Sequence, residues 1–136
     1  VIESSGSQLD IVELREYRIL PRNRSAFWRN YKSVGLPVQT RYLAHPLGFY
    51  FVEIGSPNTF VHMWAYRSLA EREASRAALH DDPAWVKYVT GAHAFIEDIN
   101  VRLLRNLGLP VVPGAGEDAD GAMGTLTDRP SSEHRS

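Results

Sequence analysis

The order in which the hydrophobic period changes along residues 10–105 leaves few folds open to this chain. Ile11–Ile19 alternates β-branched and aromatic residues with polar ones and meets Pro21, as a strand does. From Arg22 to Val34 the apolar Phe27, Tyr31 and Val34 recur at spacings of four and three, a helical stripe that Gly35 and Pro37 are expected to stop. Val38–Ile54 reads as a long strand interrupted at His45-Pro46-Leu47-Gly48, which belongs on a sheet edge because proline removes a ladder donor. Gly55-Ser56-Pro57-Asn58 is a turn, and Thr59–Tyr66 returns as the second arm of an antiparallel hairpin. Ser68-Leu69-Ala70-Glu71 has capping-box spacing and opens a helix to about His80. Asp82-Pro83 supplies the cap and first-turn proline of another, with the stripe Trp85, Tyr88, Val89, Ala92, Phe95 and Ile96. Asp98–Arg105 alternates again and is the final strand.

The succession β-α-β-β-α-α-β, with right-handed crossovers, predicts an α+β fold: a ferredoxin-like split βαβ unit. Its antiparallel four-stranded sheet has order 4-1-3-2 and carries its helices on one face. Residues 1–9 are polar and read as a flexible lead-in, residues 10–105 as the folded domain, and residues 106–136 as a Gly/Pro/acidic tail that Leu109, Val111 and Val112 would pin.

Composition removes several classes of function. With no cysteine there is no disulfide frame, thiolate metal site or cysteine nucleophile. Fifteen Lys and Arg balance sixteen Asp and Glu, so no strong field favours nucleic acid or an anionic membrane. No apolar run reaches the roughly 18 residues of a membrane span, and the first residues lack signal-peptide features, so a cytoplasmic location is expected. The five histidines are scattered, so neither metal nor haem is expected, and no phosphate loop or serine elbow is present. No cofactor is therefore expected.

Taking Pro57-Asn58 as the two loop residues of the hairpin pairs Glu53 with His62, Phe51 with Trp64 and Phe49 with Tyr66. One sheet face then carries Val12, Leu14, Val52, Val61, Met63 and Ala65 with Ile99, Val101 and Leu103, and is expected to lie under the helices. The other mixes Glu13, Arg15, Tyr17, His62, Trp64 and Tyr66 with Asn100 and Arg102, and would be left for a second copy of the chain to cover. The Arg-rich stretch Glu71–Arg76 reads as a solvated helix face.

Glu13-Leu14-Arg15-Glu16-Tyr17, Val52-Glu53-Ile54-Gly55 and Val61-His62-Met63-Trp64-Ala65-Tyr66 followed by Ser68-Leu69 occur in the order that resembles the NIPSNAP family, over about residues 11–104. The resemblance implies a ferredoxin-like subunit that pairs into a dimeric α/β barrel. The broader barrel superfamily holds cofactor-independent oxygenases, isomerases and haem proteins, so fold alone does not choose a function.

Two functions stay open. The first is a small-molecule-binding protein, extending to a cofactor-independent oxygenase, isomerase or cyclase of secondary metabolism that acts on a hydrophobic or aromatic metabolite. There His62, oriented by Glu53, would be the general base and Arg15 the oxyanion partner. Tyr17, Trp64, Tyr66, Phe51 and Arg102 would surround the substrate, with His45 at the pocket mouth. The second is a non-catalytic homodimer whose polar-aromatic face is a seam.

Overall fold

In a computed structural model, which describes residues 8–109, strands β1 (Ile11–Ile19), β2 (His45–Phe51), β3 (Thr59–Tyr66) and β4 (Ile96–Arg105) form one antiparallel sheet in the order β2-β3-β1-β4. This is the expected order, with β2 on an edge. Helices α1 (Arg24–Asn30), α2 (Leu36–Tyr42), α3 (Leu69–His80) and α4 (Pro83–Ala92) supply the other layer. Residues 1–7 and 110–136, with most of the expected lead-in and tail, lie outside the described residues. At the margins, Asn106 donates its backbone N–H to Asp10 O at 2.8 Å, while Leu109 is exposed. None of the helices among the described residues is long and apolar enough to cross a membrane.

The first helix does not stop where expected. It passes from α1 through a widened π turn, Tyr31–Gly35, into α2 and ends at Tyr42. Pro37 lacks an N–H and crowds the carbonyl four residues before it, which an unbroken α-helix does not tolerate. The π turn loosens the ladder at that point, and Pro37 then falls in the first turn of α2, where its missing donor has no role. Gly35 is no stop either. A Cβ there would lie 2.6 Å from Cζ of Tyr88, so glycine lets α4 approach the helix. Residues 38–42 are thus helical, and β2 is shorter than the sequence suggests, with a register irregularity between Pro46 and Gly48.

The hairpin register also differs. Phe49 pairs with His62 and Phe51 with Phe60, four residues along from the expected pairing, and Glu53 sits exposed in the connecting loop. Gly55 at φ 131° and Asn58 at φ 58° let that loop close over more residues than two. An even slip keeps every side chain on its expected face.

The faces, however, are covered the other way round. Under the helices lie Ile11, Glu13, Phe60, His62, Trp64 and Tyr66, all buried, packed against Phe27, Tyr31, Val38, Leu43, Leu79, Trp85 and Tyr88. Val12, Leu14, Val61 and Met63 line the open face and are only half-buried. Aromatic side chains bury about 150–250 Å² each, so a face bearing Phe60, Trp64 and Tyr66 gains more from cover than one bearing Val61 and Met63. Its charged groups are tolerated because they pair with each other. The β1–β4 register sets Leu14 opposite Arg102 and Arg15 opposite Val101, so Arg102 belongs to the open face, not to the face of Arg15.

Gly35→Ala is expected to lower stability by about 1–3 kcal/mol through overpacking on Tyr88, although alanine is the better helix former by about 1 kcal/mol. A denaturation midpoint at or above that of the parent would show that the ring does not rest on the helix.

Candidate functional site

The side chains that bear on chemistry are set by β1, the first helix, α3 and α4. Ser68 Oγ accepts from Glu71 N–H at 3.1 Å to start α3, and Asp82 Oδ1 accepts from Ala84 N–H at 2.8 Å to start α4. The spacing of four between Arg72, Arg76 and His80 puts them on one side of α3, and the capped helix turns that side toward β1. Alternation along β1 points Glu13, Arg15 and Tyr17 back toward them.

Glu13 is fully buried and is the centre of this cluster. Arg15 Nη1 donates to its Oε2 at 2.7 Å, Arg72 Nη2 to the same oxygen at 3.0 Å, and the Tyr66 hydroxyl to Oε1 at 3.0 Å. Arg76 Nη1 stands 3.9 Å from Oε1. Burial by itself raises the carboxyl pKa, but the Arg72 hydrogen bond and the charges of Arg76 and Arg15 outweigh it and bring it down to about 2. Arg15 also donates from Nε to the Tyr17 hydroxyl at 2.9 Å.

Beside this cluster, between the helix layer and the β4 side of the sheet, lies a cavity of about 300 Å³. Its lining joins the polar Arg15, Tyr17 and Arg76 with Trp85, Tyr88 and Val89 of α4 and Ile96 and Ile99 of β4. Tyr31 and Gln39 reach it from the first helix, where the Tyr31 hydroxyl donates to Gln39 Oε1. Eight residues of unbroken α-helix would separate those two side chains by about 80° of rotation, whereas the extra residue of the π turn reduces this to about 20°. Burial raises the pKa of both Tyr31 and Tyr88, so they stay protonated donors. His80 lies at the cavity with Nδ1 2.7 Å from the Arg76 carbonyl oxygen. A carbonyl only accepts, so Nδ1 carries the proton and a neutral His80 keeps its lone pair on Nε2.

The expected constellation is only partly assembled. Arg15 and Tyr17 line the cavity. His62 does not: it is fully buried beside Arg15, its partner across the β1–β3 pair, and its Nδ1 accepts from Trp64 Nε1–H at 2.9 Å. Its other nitrogen, Nε2, therefore bears the proton, buried and without an acceptor, and the single basic lone pair, on Nδ1, is already taken by Trp64, so His62 has none free to accept a proton from a ligand. Burial and the Arg15 charge bring the His62 pKa down to about 3. Glu53 is in the loop and does not reach it. Trp64 and Tyr66 are core residues, Phe51 packs against that core, His45 lies at the start of β2 opposite Ala65, and Arg102 is exposed near Glu16. Arg72 and Arg76, expected on a solvated face, are instead largely buried, with side chains 16% and 14% exposed. Arg76, His80 and Gln39 were not expected at the site. The four-residue spacing of Arg72, Arg76 and His80, beside the buried Leu79, is the signal that would have turned Arg76 and His80 inward.

The depressed His62 pKa fixes the sign of an acid effect. Unfolded chains take up a proton near pH 6.5 that the folded chain refuses until about pH 3, so this stability is full above pH 6.5 and is lost as pH falls toward 3. Glu13 adds a second loss between about pH 4.5 and 2. Between pH 7 and 5 His62 should cost about 2 kcal/mol in chemical denaturation, and His62→Gln, though less stable at pH 7, should show a smaller fall. Equal falls in parent and variant would remove His62 as the cause.

Among known proteins, the NIPSNAP family model matches residues 12–109. A NipSnap homolog of Dictyostelium discoideum is 27% identical over 104 residues, which cover 76% of this chain and 46% of that protein. NipSnap homolog 1 of Danio rerio is 28% identical over 103 residues, 76% of this chain and 36% of its own length, so the chain spans less than half of these curated relatives. A crystal structure of a NIPSNAP family protein from Agrobacterium tumefaciens aligns with TM-score 0.68 and 30% identity, over 74% of this chain and 92% of that one. A putative antibiotic biosynthesis monooxygenase from Nitrosomonas europaea shares the fold at TM-score 0.55 and 13% identity, over 71% and 98% of the two chains. On the extent of the family match and the agreement of the fold, this chain belongs to the NIPSNAP family.

Proposed function

We propose that this NIPSNAP domain binds a small hydrophobic or aromatic molecule in the cavity between α3, α4 and the sheet. The observation that carries this reading is a cavity lining that sets Arg15, Tyr17 and Arg76 among Trp85, Tyr88, Val89, Ile96 and Ile99. An apolar enclosure with a few oriented polar groups is the usual form of a small-molecule site.

A second reading, cofactor-independent turnover of the same ligand, is favoured by His80. His80 lines the cavity with Nδ1 held by the Arg76 carbonyl and Nε2 left to accept a proton, and the guanidinium groups of Arg15 and Arg76 line the same space, a set of groups suited to removing a proton from carbon. In this reading His80 takes the base role that the occupied lone pair of His62 cannot fill.

We also propose that the chain is a homodimer. The motive differs from the one the sequence suggested, because the aromatic face is already under helices. The uncovered face is the apolar one, with Val12, Leu14, Val61 and Met63 half-buried and Tyr50 and Leu104 exposed beside them. A second copy presenting the same surface would cover it.

Calorimetric titration with 1-naphthamide should give measurable binding to the parent and none to Val89→Trp, whose added ring fills the cavity. Binding undiminished in Val89→Trp would put the ligand elsewhere. Under the second reading, a bound carbon acid incubated in D2O gains deuterium with the parent and not with His80→Gln. Equal labelling by both proteins would end the role of His80.

Light scattering at micromolar concentration should give twice the chain mass for the parent and the single-chain mass for Leu14→Lys, with helix content retained. A parent that scatters as a monomer would dispose of the dimer.

A further inference from the structure

We propose that the cavity is built for an anion on an apolar frame, an aromatic or aliphatic carboxylic acid bound as the carboxylate between Arg15 and Arg76; this rests on the reading of the cavity as the ligand site. The residues that line it include two guanidiniums and two imidazoles, from His80 and His93, but no carboxylate. Glu13 is the one buried carboxylate among the described residues, and it lies behind the cavity wall rather than in it. It is shared by Arg15, Arg72 and Arg76. Of these, Arg72 has a second partner in Glu73 at 2.9 Å. Arg76 has only the distant contact at 3.9 Å, and its buried Nη1 meets no hydrogen-bond acceptor. One negative charge thus faces three positive ones at the centre of the cluster, and excess charge held out of water costs free energy until an anion joins it.

The neutral polar groups point to the same class. Tyr31 and Tyr88 are protonated, and Tyr31 occupies the oxygen of Gln39. Trp85 Nε1, which can only donate, is buried without a partner. Apart from the Nε2 lone pair of His80, the site is rich in donors and poor in acceptors, which suits a head group that only accepts. A carboxylate meets a guanidinium through two parallel hydrogen bonds. Inorganic phosphate would satisfy the charge but leave Trp85, Val89, Ile96 and Ile99 uncovered, whereas an apolar acid meets both the charged and the apolar lining.

The test compares 1-naphthoate with 1-naphthamide, nearly the same shape with and without the charge, by calorimetric titration of the full chain. Naphthoate is expected to bind the parent at least about tenfold more tightly, in line with the strength of a charged hydrogen bond. Arg76→Gln should bring the two probes within about twofold of each other while naphthamide binding holds, and Arg76→Lys should keep part of the preference. If naphthamide binds the parent as well as naphthoate does, the anion proposal is overturned and the cavity reading stands. If neither probe binds, or Val89→Trp leaves naphthoate binding unchanged, the cavity reading falls and takes the proposal with it. A preference for naphthoate that survives both Arg76→Gln and Arg15→Gln also overturns the proposal, since the charge would then be read by other residues. Circular dichroism of each variant confirms that losses of binding are not losses of fold.

Discussion

The buried carboxylate of Glu13 is the interaction on which the arrangement of the layers depends. It joins β1 to β3 through Tyr66 and to α3 through Arg72, and it neutralises Arg15 within its own strand. A carboxylate taken out of water is stable only when its oxygens are met by donors and opposite charge, and here each oxygen receives at least one hydrogen bond. Because that condition is met, the large rings of Phe60, Trp64 and Tyr66 can lie under the helices on the same sheet face as a charged network. Without it, alternation would put that face in water and turn the aliphatic face inward.

Most of the scaffold was legible in the sequence. Alternation located β1 and β3, the Ser68–Glu71 box and Asp82-Pro83 located the starts of α3 and α4, and the handedness of crossovers gave the strand order. These signals are local or topological, so they need no knowledge of what lies across the core. What failed was non-local. Gly35 and Pro37 carry the standard marks of a helix end, and only the ring of Tyr88 and the π turn explain why the helix continues. The Glu53–His62 pairing rested on a two-residue turn, whereas the left-handed backbone at Gly55 and Asn58 belongs to a longer loop. The choice of buried face rested on counting charges, and pairing among charges is invisible until strand and helix are brought together.

The candidate site shows the same division. Arg15 and Tyr17 were legible because a strand fixes which side its residues take once the sheet is known. Arg76 was read as solvated because a charged helix segment usually is, and His80 as one of five scattered histidines; their spacing acquires meaning only when α3 is seen to lie against Glu13. His62 drew attention as a titratable group among rings, and its surroundings make it a hydrogen-bonded core residue, held neutral by burial and by the Arg15 charge next to it. A histidine in an aromatic strand is thus a poor guide to a site unless one nitrogen is known to be free.

The widened turn at Tyr31–Gly35 has a consequence for how this chain tolerates change in length. It acts as a phase shifter between two helical segments: α1 is keyed to the sheet through Phe27, and α2 is keyed to the cavity through Gln39. Losing one residue from the turn would leave α2 in the same phase, because seven ordinary α-helical steps bring Gln39 as close to Tyr31, about 20° away, as eight steps through the π turn, but it would set Pro37 inside an unbroken α-helix. Straightening the turn with every residue kept would instead rotate α2 by about 100° relative to α1, which would carry Gln39 away from Tyr31 and bring a different side of α2 to α4. In this fold, then, chain length and helix phase are uncoupled at the turn: a residue lost there leaves the face that α2 presents unchanged, and what opposes the loss is Pro37.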